Sequence, residues 1–117
     1  MTVKRIIANI ATADLNAIQA FYRDIFDLEL VMDHGWIQTY ASSENMRVQL
    51  SAAIEGGSGT AVPDLSIEVD NLDIVLQKIA NQHIEIVYGP AIESWGVRRF
   101  YINDPGGRLL NVLQHLN

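Results

Sequence analysis

Apolar residues recur along this chain with a period of two, then of nearly four, then of two again, and the second half repeats that order. Val3 to about Thr12 is dense in β-branched residues, free of Gly and Pro, and predicts a strand. Asp14 then stands where a helix cap belongs. Ile18, Phe21, Tyr22, Ile25 and Phe26 fall at i, i+3, i+4, i+7 and i+8, which is one face of a helix. Three shorter strands are expected next, at Leu28 to Asp33, Trp36 to Ala41 and Met46 to Ala53, separated by a turn at His34-Gly35 and a polar turn from Ser42 to Asn45.

The stretch Ile54-Glu55-Gly56-Gly57-Ser58-Gly59-Thr60 is short, Gly-rich and linker-like, and after it the order starts again. Asp64 to Val69 reads as a strand and Asp70 or Asn71 as a cap, and Leu72, Val75, Leu76, Ile79 and Ala80 repeat the helical face. Strands are predicted at Ile84 to Tyr88, Val97 to Asn103 and Arg108 to His115, with a loop from Gly89 to Trp95 and a turn at Asp104-Pro105-Gly106-Gly107. The expectation is one α+β domain over 1–117, with repeat one at 1–53, a linker at 54–62 and repeat two at 63–117. A four-stranded ferredoxin-like sheet leaves too many strands unused.

Alternation assigns faces to these strands. Ile6, Ala8 and Ile10 share one side of the first strand, and Arg5, Ile7 and Asn9 share the other. In the second half Leu65, Ile67 and Val69 oppose Asp64, Ser66 and Glu68. The strands that close each repeat set Val48, Leu50 and Ala52 against Arg47, Gln49 and Ser51, and Leu110 and Val112 against Leu109, Asn111 and Leu113. If the helices pack on the apolar sides, the opposite faces form a concave surface carrying Asn9, Arg47, Gln49, Asp64, Ser66, Glu68 and Asn111. Alternation alone fits the solvent side of a one-faced sheet equally well. The paired repeat and the aromatic residues Trp36, Tyr40, Trp95, Phe100 and Tyr101 favour a cup for a small organic molecule, with a polar floor and aromatic walls.

Composition narrows the chemistry. The chain has 117 residues, 49% of them apolar, enough for one core, and no run approaches the length of a bilayer crossing. The start of the chain leads directly into a strand rather than a signal peptide, so a cytoplasmic location is expected, with no membrane partner. The absence of cysteine removes disulfides, thiolate metal sites and Cys nucleophiles. A net charge of −6 argues against nucleic acid. His34, His83 and His115 show no ligand spacing, and no Ser or Thr has a neighbouring base pattern. Asp64 and Glu68, four residues apart on a strand, lie about 13 Å apart, too far to share a proton. Solvated or ion-paired carboxylates, with Arg5 or Arg47, are the simpler reading.

The run from Trp95 to Val112, which contains Asn103-Asp104-Pro105-Gly106-Gly107-Arg108, resembles the closing hairpin of the vicinal oxygen chelate superfamily. Asp14-Leu15, Phe21-Tyr22 and Phe26-Asp27-Leu28 agree with it, and the resemblance covers essentially the whole chain. It implies paired βαβββ units forming a curled mixed sheet around a central cup, the glyoxalase, bleomycin resistance and dihydroxybiphenyl dioxygenase fold. It also implies a homodimer, because members of this length commonly dimerise. In metal-using members a divalent ion is held at positions that map to Ile7, Gln49, Asp64 and Asn111. One hydrocarbon, two amides and a single carboxylate form a poor set for a transition metal, so no cofactor is expected. The implied function is metal-independent binding of a small molecule, nearest to the bleomycin-resistance branch, with candidate contacts at Asn9, Trp36, Tyr40, Gln49, Asp64, Ser66, Glu68, Trp95, Phe100 and Asn111. The alternative is a metal-dependent glyoxalase-type lyase, isomerase or dioxygenase with a divergent metal site, and catalytic residues are not assigned.

Overall fold

A computed structural model of the chain describes residues 1–42 and 49–117. The polar turn expected after Ser42 and the start of the strand expected from Met46, with Arg47 and Val48, lie outside the described residues. Among the described residues the elements run β1 (Val3–Ala11), α1 (Leu15–Phe26), β2 (Glu29–Asp33), β3 (Ile37–Ala41), β4 (Gln49–Ala53), β5 (Leu65–Val69), α2 (Leu72–Asn81), β6 (Tyr88–Glu93), β7 (Val97–Asn103) and β8 (Leu109–His115). This is an α+β chain of two βαβββ units. No described helix is long and apolar enough to cross a membrane. Two compact units emerge, Ile7–Val62 in one and Pro63–Asn117 with Met1–Ile6 in the other.

In the Ile7–Val62 unit, β4 pairs in parallel with β1 and antiparallel with β3, which pairs antiparallel with β2. Asp14 caps α1 as expected, its carboxylate accepting from the Ala17 N–H, and Asp27 closes the helix in the left-handed region at φ 56°. The helix packs over β3 and β4, where Tyr22 stacks on Tyr40 with ring centroids 6.2 Å apart. Its apolar face is therefore only partly used. No α1 residue is buried, and Phe21, Ile25 and Phe26 are all more than half exposed. The expectation that Ile6, Ala8 and Ile10 lie beneath a helix is corrected: Ile6 and Ala8 are exposed, Ile10 is half-buried, and Ile7 is the buried residue of β1. The helix sits over the neighbouring strands, so the apolar side of β1 is left uncovered.

In the other unit the strand order is β5-β8-β7-β6, with β5 and β8 parallel and the remaining pairs antiparallel. Asn71 supplies the cap of α2, and Val69, Leu72, Ile79, Phe100 and Val112 form its core, with Ile67, Val75, Leu76 and Ile102 packed around them. The N-terminal residues join this unit through Thr2, whose backbone exchanges hydrogen bonds with Asp70.

The second strand of this repeat differs from expectation. The segment read as a strand at Ile84 to Tyr88 is irregular up to Val87, and the strand occupies Tyr88–Glu93, where a loop was expected. Gly89 and Pro90 suggested a break, but β6 is an edge strand whose register shifts between Tyr88 and Ala91, and an edge tolerates a residue without an N–H. Gly89 is required there: at φ 83° a Cβ would stand 2.7 Å from the Arg99 carbonyl.

Candidate functional site

Pairing register defines the polar face of the β5-β8-β7-β6 sheet. Ser66 lies beside Asn111, Asn111 opposite Tyr101, and Tyr101 opposite Tyr88, so these four side chains form one row. The next row on the same face runs Glu68, Leu113, Arg99. Phe100, between Tyr101 and Arg99 in sequence, must point the other way, and it is fully buried in the core under α2. Its expected role as a ligand wall is corrected accordingly.

Arg99 is the most enclosed charge on this face. Its guanidinium carbon stands 4.9 Å from the Trp95 ring centroid, 5.0 Å from that of Tyr101 and 5.3 Å from that of Tyr88, and its side chain is 2% exposed. Nη1 donates to the Tyr101 hydroxyl at 3.0 Å, and Nη2 lies 3.4 Å from Glu93 Oε2. Tyr88 donates its hydroxyl proton to the other Glu93 oxygen at 2.7 Å. Arginine suits this position because its planar cation stacks on rings while its edge donates, which an ammonium does less well.

At the far end of the second row, Glu68 pairs with Arg5, as the ion-paired reading anticipates, and its second oxygen lies 3.2 Å from His115 Nδ1. Burial works to raise the Glu68 carboxyl, but the hydrogen bond and charge of Arg5, joined by His115, outweigh it and hold the group below its ordinary value of 4.5. A depressed carboxyl contributes stability above its unfolded value, and the contribution disappears as pH falls through the folded one. The urea midpoint of the wild type is therefore expected to fall relative to Glu68→Gln as pH drops from about 5 to below 4. A constant difference across that range would remove the pair as a source of pH dependence.

Asn111 is buried. Its Nδ2 donates to Ser66 Oγ at 3.2 Å, while its Oδ1 is enclosed without a hydrogen-bond partner among the described residues. Leaving a buried carbonyl oxygen unsatisfied costs about 1–3 kcal/mol. Asp64 is corrected in the opposite sense: it is exposed, and its carboxylate accepts from the Leu109 N–H at 2.9 Å, extending the β5–β8 ladder by one residue. By register, the residue of β5 beside Asn111 is Ser66, just as Ile7 falls beside Gln49 one step before the pair Ala8 and Leu50.

In the Ile7–Val62 unit the equivalent face carries Ile7, Asn9, Gln49, Ser51, Thr39 and Ala41, with Thr39 and Ser51 hydroxyls 2.7 Å apart. Asn9 and Gln49 are half-buried there. Tyr40 is not on it. It faces α1 on the other side, buried, with its hydroxyl donating to Gln38, so it too is corrected from ligand wall to helix-packing residue. Trp36, just before β3, is half-buried and stacks with His34 at 6.3 Å.

Sequence reasoning assigned no site role to Arg99, Glu93, Tyr88 or His115. For Arg99 the signal was present: in Val97-Arg98-Arg99-Phe100-Tyr101, period two makes Arg99 and Tyr101 neighbours on one face and excludes Phe100 from it.

Comparison with known proteins agrees with this architecture. Residues 5–117 match the family model of the glyoxalase-like domain. The chain belongs to the glyoxalase-like domain family. It is thereby a member of the vicinal oxygen chelate superfamily. No curated protein matches the sequence. Among solved structures it is similar to a Legionella pneumophila protein described as an NAD-dependent benzaldehyde dehydrogenase, with TM-score 0.77, 15% identity and coverage of 95% of this chain and 99% of that one. It is also similar to Streptomyces coelicolor methylmalonyl-CoA epimerase in complex with 2-nitronate-propionyl-CoA, with TM-score 0.71, 18% identity and coverage of 99% and 100%. A Vibrio splendidus member of the glyoxalase, bleomycin resistance protein and dioxygenase superfamily aligns with TM-score 0.67 and 17% identity over 98% and 100%. At these identities the likeness is one of fold.

The divalent ion common in the glyoxalase-like superfamily can be tested against this chain's residues. The positions that map to metal ligands carry Ile7 and Gln49 in one unit and Asp64 and Asn111 in the other, where register sets Ser66 rather than Asp64 beside Asn111. A hydrocarbon and two amides provide neither imidazole nor anionic oxygen, the single carboxylate, Asp64, is engaged by the backbone, and Ser66 adds only a hydroxyl. Among the described residues no three His, Asp or Glu side chains converge. The donor set does not fit the ion.

Proposed function

We propose that this glyoxalase-like protein binds a small organic molecule against the polar face of β5, β8 and β7 without a resident divalent ion. The observation that carries the reading is a donor set of one hydrocarbon, two amides and a carboxylate held by the backbone at the superfamily's ligand positions, beside a face whose charges are already paired. Asn111 and Ser66 supply polar contacts, and the half-buried Tyr88 and Trp95, packed about Arg99, supply aromatic surface. Binding of this kind needs a few convergent polar groups on an otherwise apolar wall, and no chemistry on the ligand.

The test is metal analysis of the purified protein followed by a thermal-shift screen. Less than stoichiometric metal is expected, with no midpoint change on adding Ni²⁺, Zn²⁺, Mn²⁺ or Fe²⁺ and a rise with organic ligands of the aromatic or bleomycin class. Stoichiometric metal that is lost in Asp64→Ala would instead establish the rival, a metal-dependent lyase, isomerase or dioxygenase. A homodimer is proposed alongside, supported by the exposed apolar side chains Phe21, Ile25 and Phe26 of α1. Light scattering on the same sample is expected to give the mass of two chains, and a single-chain mass would refute it.

A further inference from the structure

We propose that Asn111 selects the ligand by accepting a hydrogen bond from an uncharged O–H or N–H group, so that the occupant of this face is a neutral donor such as an alcohol, a phenol or a primary carboxamide. The inference rests on the binding reading above and names the ligand chemistry that the reading leaves open.

Three observations lead there. Asn111 is only 8% exposed, and its amide is half used: Nδ2 donates to Ser66 Oγ, and Oδ1 is enclosed without a hydrogen-bond partner among the described residues. A buried carbonyl oxygen is an acceptor with no proton to give, so its complement is a donor. Secondly, the charges facing this region are balanced within the protein. Glu68 is held by Arg5 and His115, and Arg99 by Glu93 and three aromatic rings. A cationic ligand finds no spare carboxylate in these pairs, and an anionic one finds the guanidinium already enclosed. Thirdly, the neighbour of Asn111 on β5 is the half-buried Ser66, so a donor directed at Oδ1 lies beside a hydroxyl. An uncharged polar group on a small aromatic or aliphatic body matches all three.

The probes are two matched pairs that differ only in the donor: benzyl alcohol against benzyl methyl ether, and benzamide against N,N-dimethylbenzamide. Each is titrated into ¹⁵N-labelled protein and followed at the amides of Ser66, Tyr101 and Asn111 and at the Asn111 side-chain NH₂. Each donor is expected to bind about tenfold more tightly than its methylated partner, the size of one well-made hydrogen bond. Asn111→Leu is expected to bring each pair to equal affinity, and Asn111→Asp, which keeps an acceptor oxygen, to retain the preference. Equal binding in the wild type would show that water already serves Oδ1 and would overturn the inference, as would preference for the ether, which would mean that the amide presents Nδ2. Either result leaves the binding reading standing. Failure of all four probes to perturb these residues would overturn the binding reading and the inference with it. The wild-type comparison decides the matter even where a variant does not fold.

Discussion

Glu93→Ala is expected to destabilise the protein by about 3–5 kcal/mol, because it leaves the Arg99 guanidinium buried without its counter-charge. Both side chains are almost fully enclosed, at 2% and 3% exposure, so solvent cannot take over the role of the carboxylate. The same change removes the acceptor of the Tyr88 hydroxyl and loosens one wall of the aromatic enclosure. In a chain of this size the loss corresponds to a fall in Tm of about 10–20 °C. The pair itself is a different matter. Replacing both partners by apolar residues, Glu93→Leu with Arg99→Met, is expected to recover most of the loss, since desolvating two charges offsets much of their attraction. Chemical denaturation of the two single variants and the double variant measures the coupling. A cost below about 1 kcal/mol for Glu93→Ala would show that the three rings alone hold the guanidinium.

Phe100→Ala is expected to cost a similar amount, about 3–5 kcal/mol, by a different route. The ring is fully buried against Val69, Leu72, Ile79 and Val112, and its removal leaves a cavity under α2 that helix and sheet can only partly close. The urea midpoint should fall with little change in slope. Phe100→Leu should recover much of the stability. If Phe100 belongs to the core, the leucine variant also keeps the wild type's preference among the four probe molecules. Loss of that preference in a stable leucine variant would return Phe100 to the site.

The contrast between Phe100 and its neighbours shows where reading the sequence succeeds. Period-two alternation is strong in Leu65 to Val69, where apolar and polar residues alternate cleanly, and it placed Ser66 and Glu68 on one face with Asn111. The helix caps were legible for the same local reason: Asp14, and one of two adjacent candidates for α2, stand just before periodic apolar runs. In β3 the pattern points the wrong way. Ile37, Thr39 and Ala41 are the more apolar set, yet it is Tyr40, on the side of Gln38, that packs against α1 by stacking on Tyr22. In β6, Gly89 and Pro90 carry a turn signal locally, and only the edge position of the strand makes them compatible with pairing. Asp64 looked equivalent to the ligand position because it shares parity with Ser66. Register, a property of the hydrogen-bonded ladder, sets Ser66 beside Asn111 and leaves Asp64 holding the backbone of Leu109.

The sequence by itself therefore determined the two βαβββ units, both helices with the cap of α1 and two candidates for that of α2, and the polar face of β5, because each rests on contacts within a few residues or on a strict period. The tertiary structure decided which aromatic residues lie on the polar face of the sheet, which carboxylates are already paired, and that Arg99 is caged by Tyr88, Trp95 and Tyr101. Those outcomes depend on strand register and on partners distant in the chain, for which local pattern holds no information. The same holds for Asn111: its position on the face follows from alternation, whereas the unmet acceptor follows from what folding places around it.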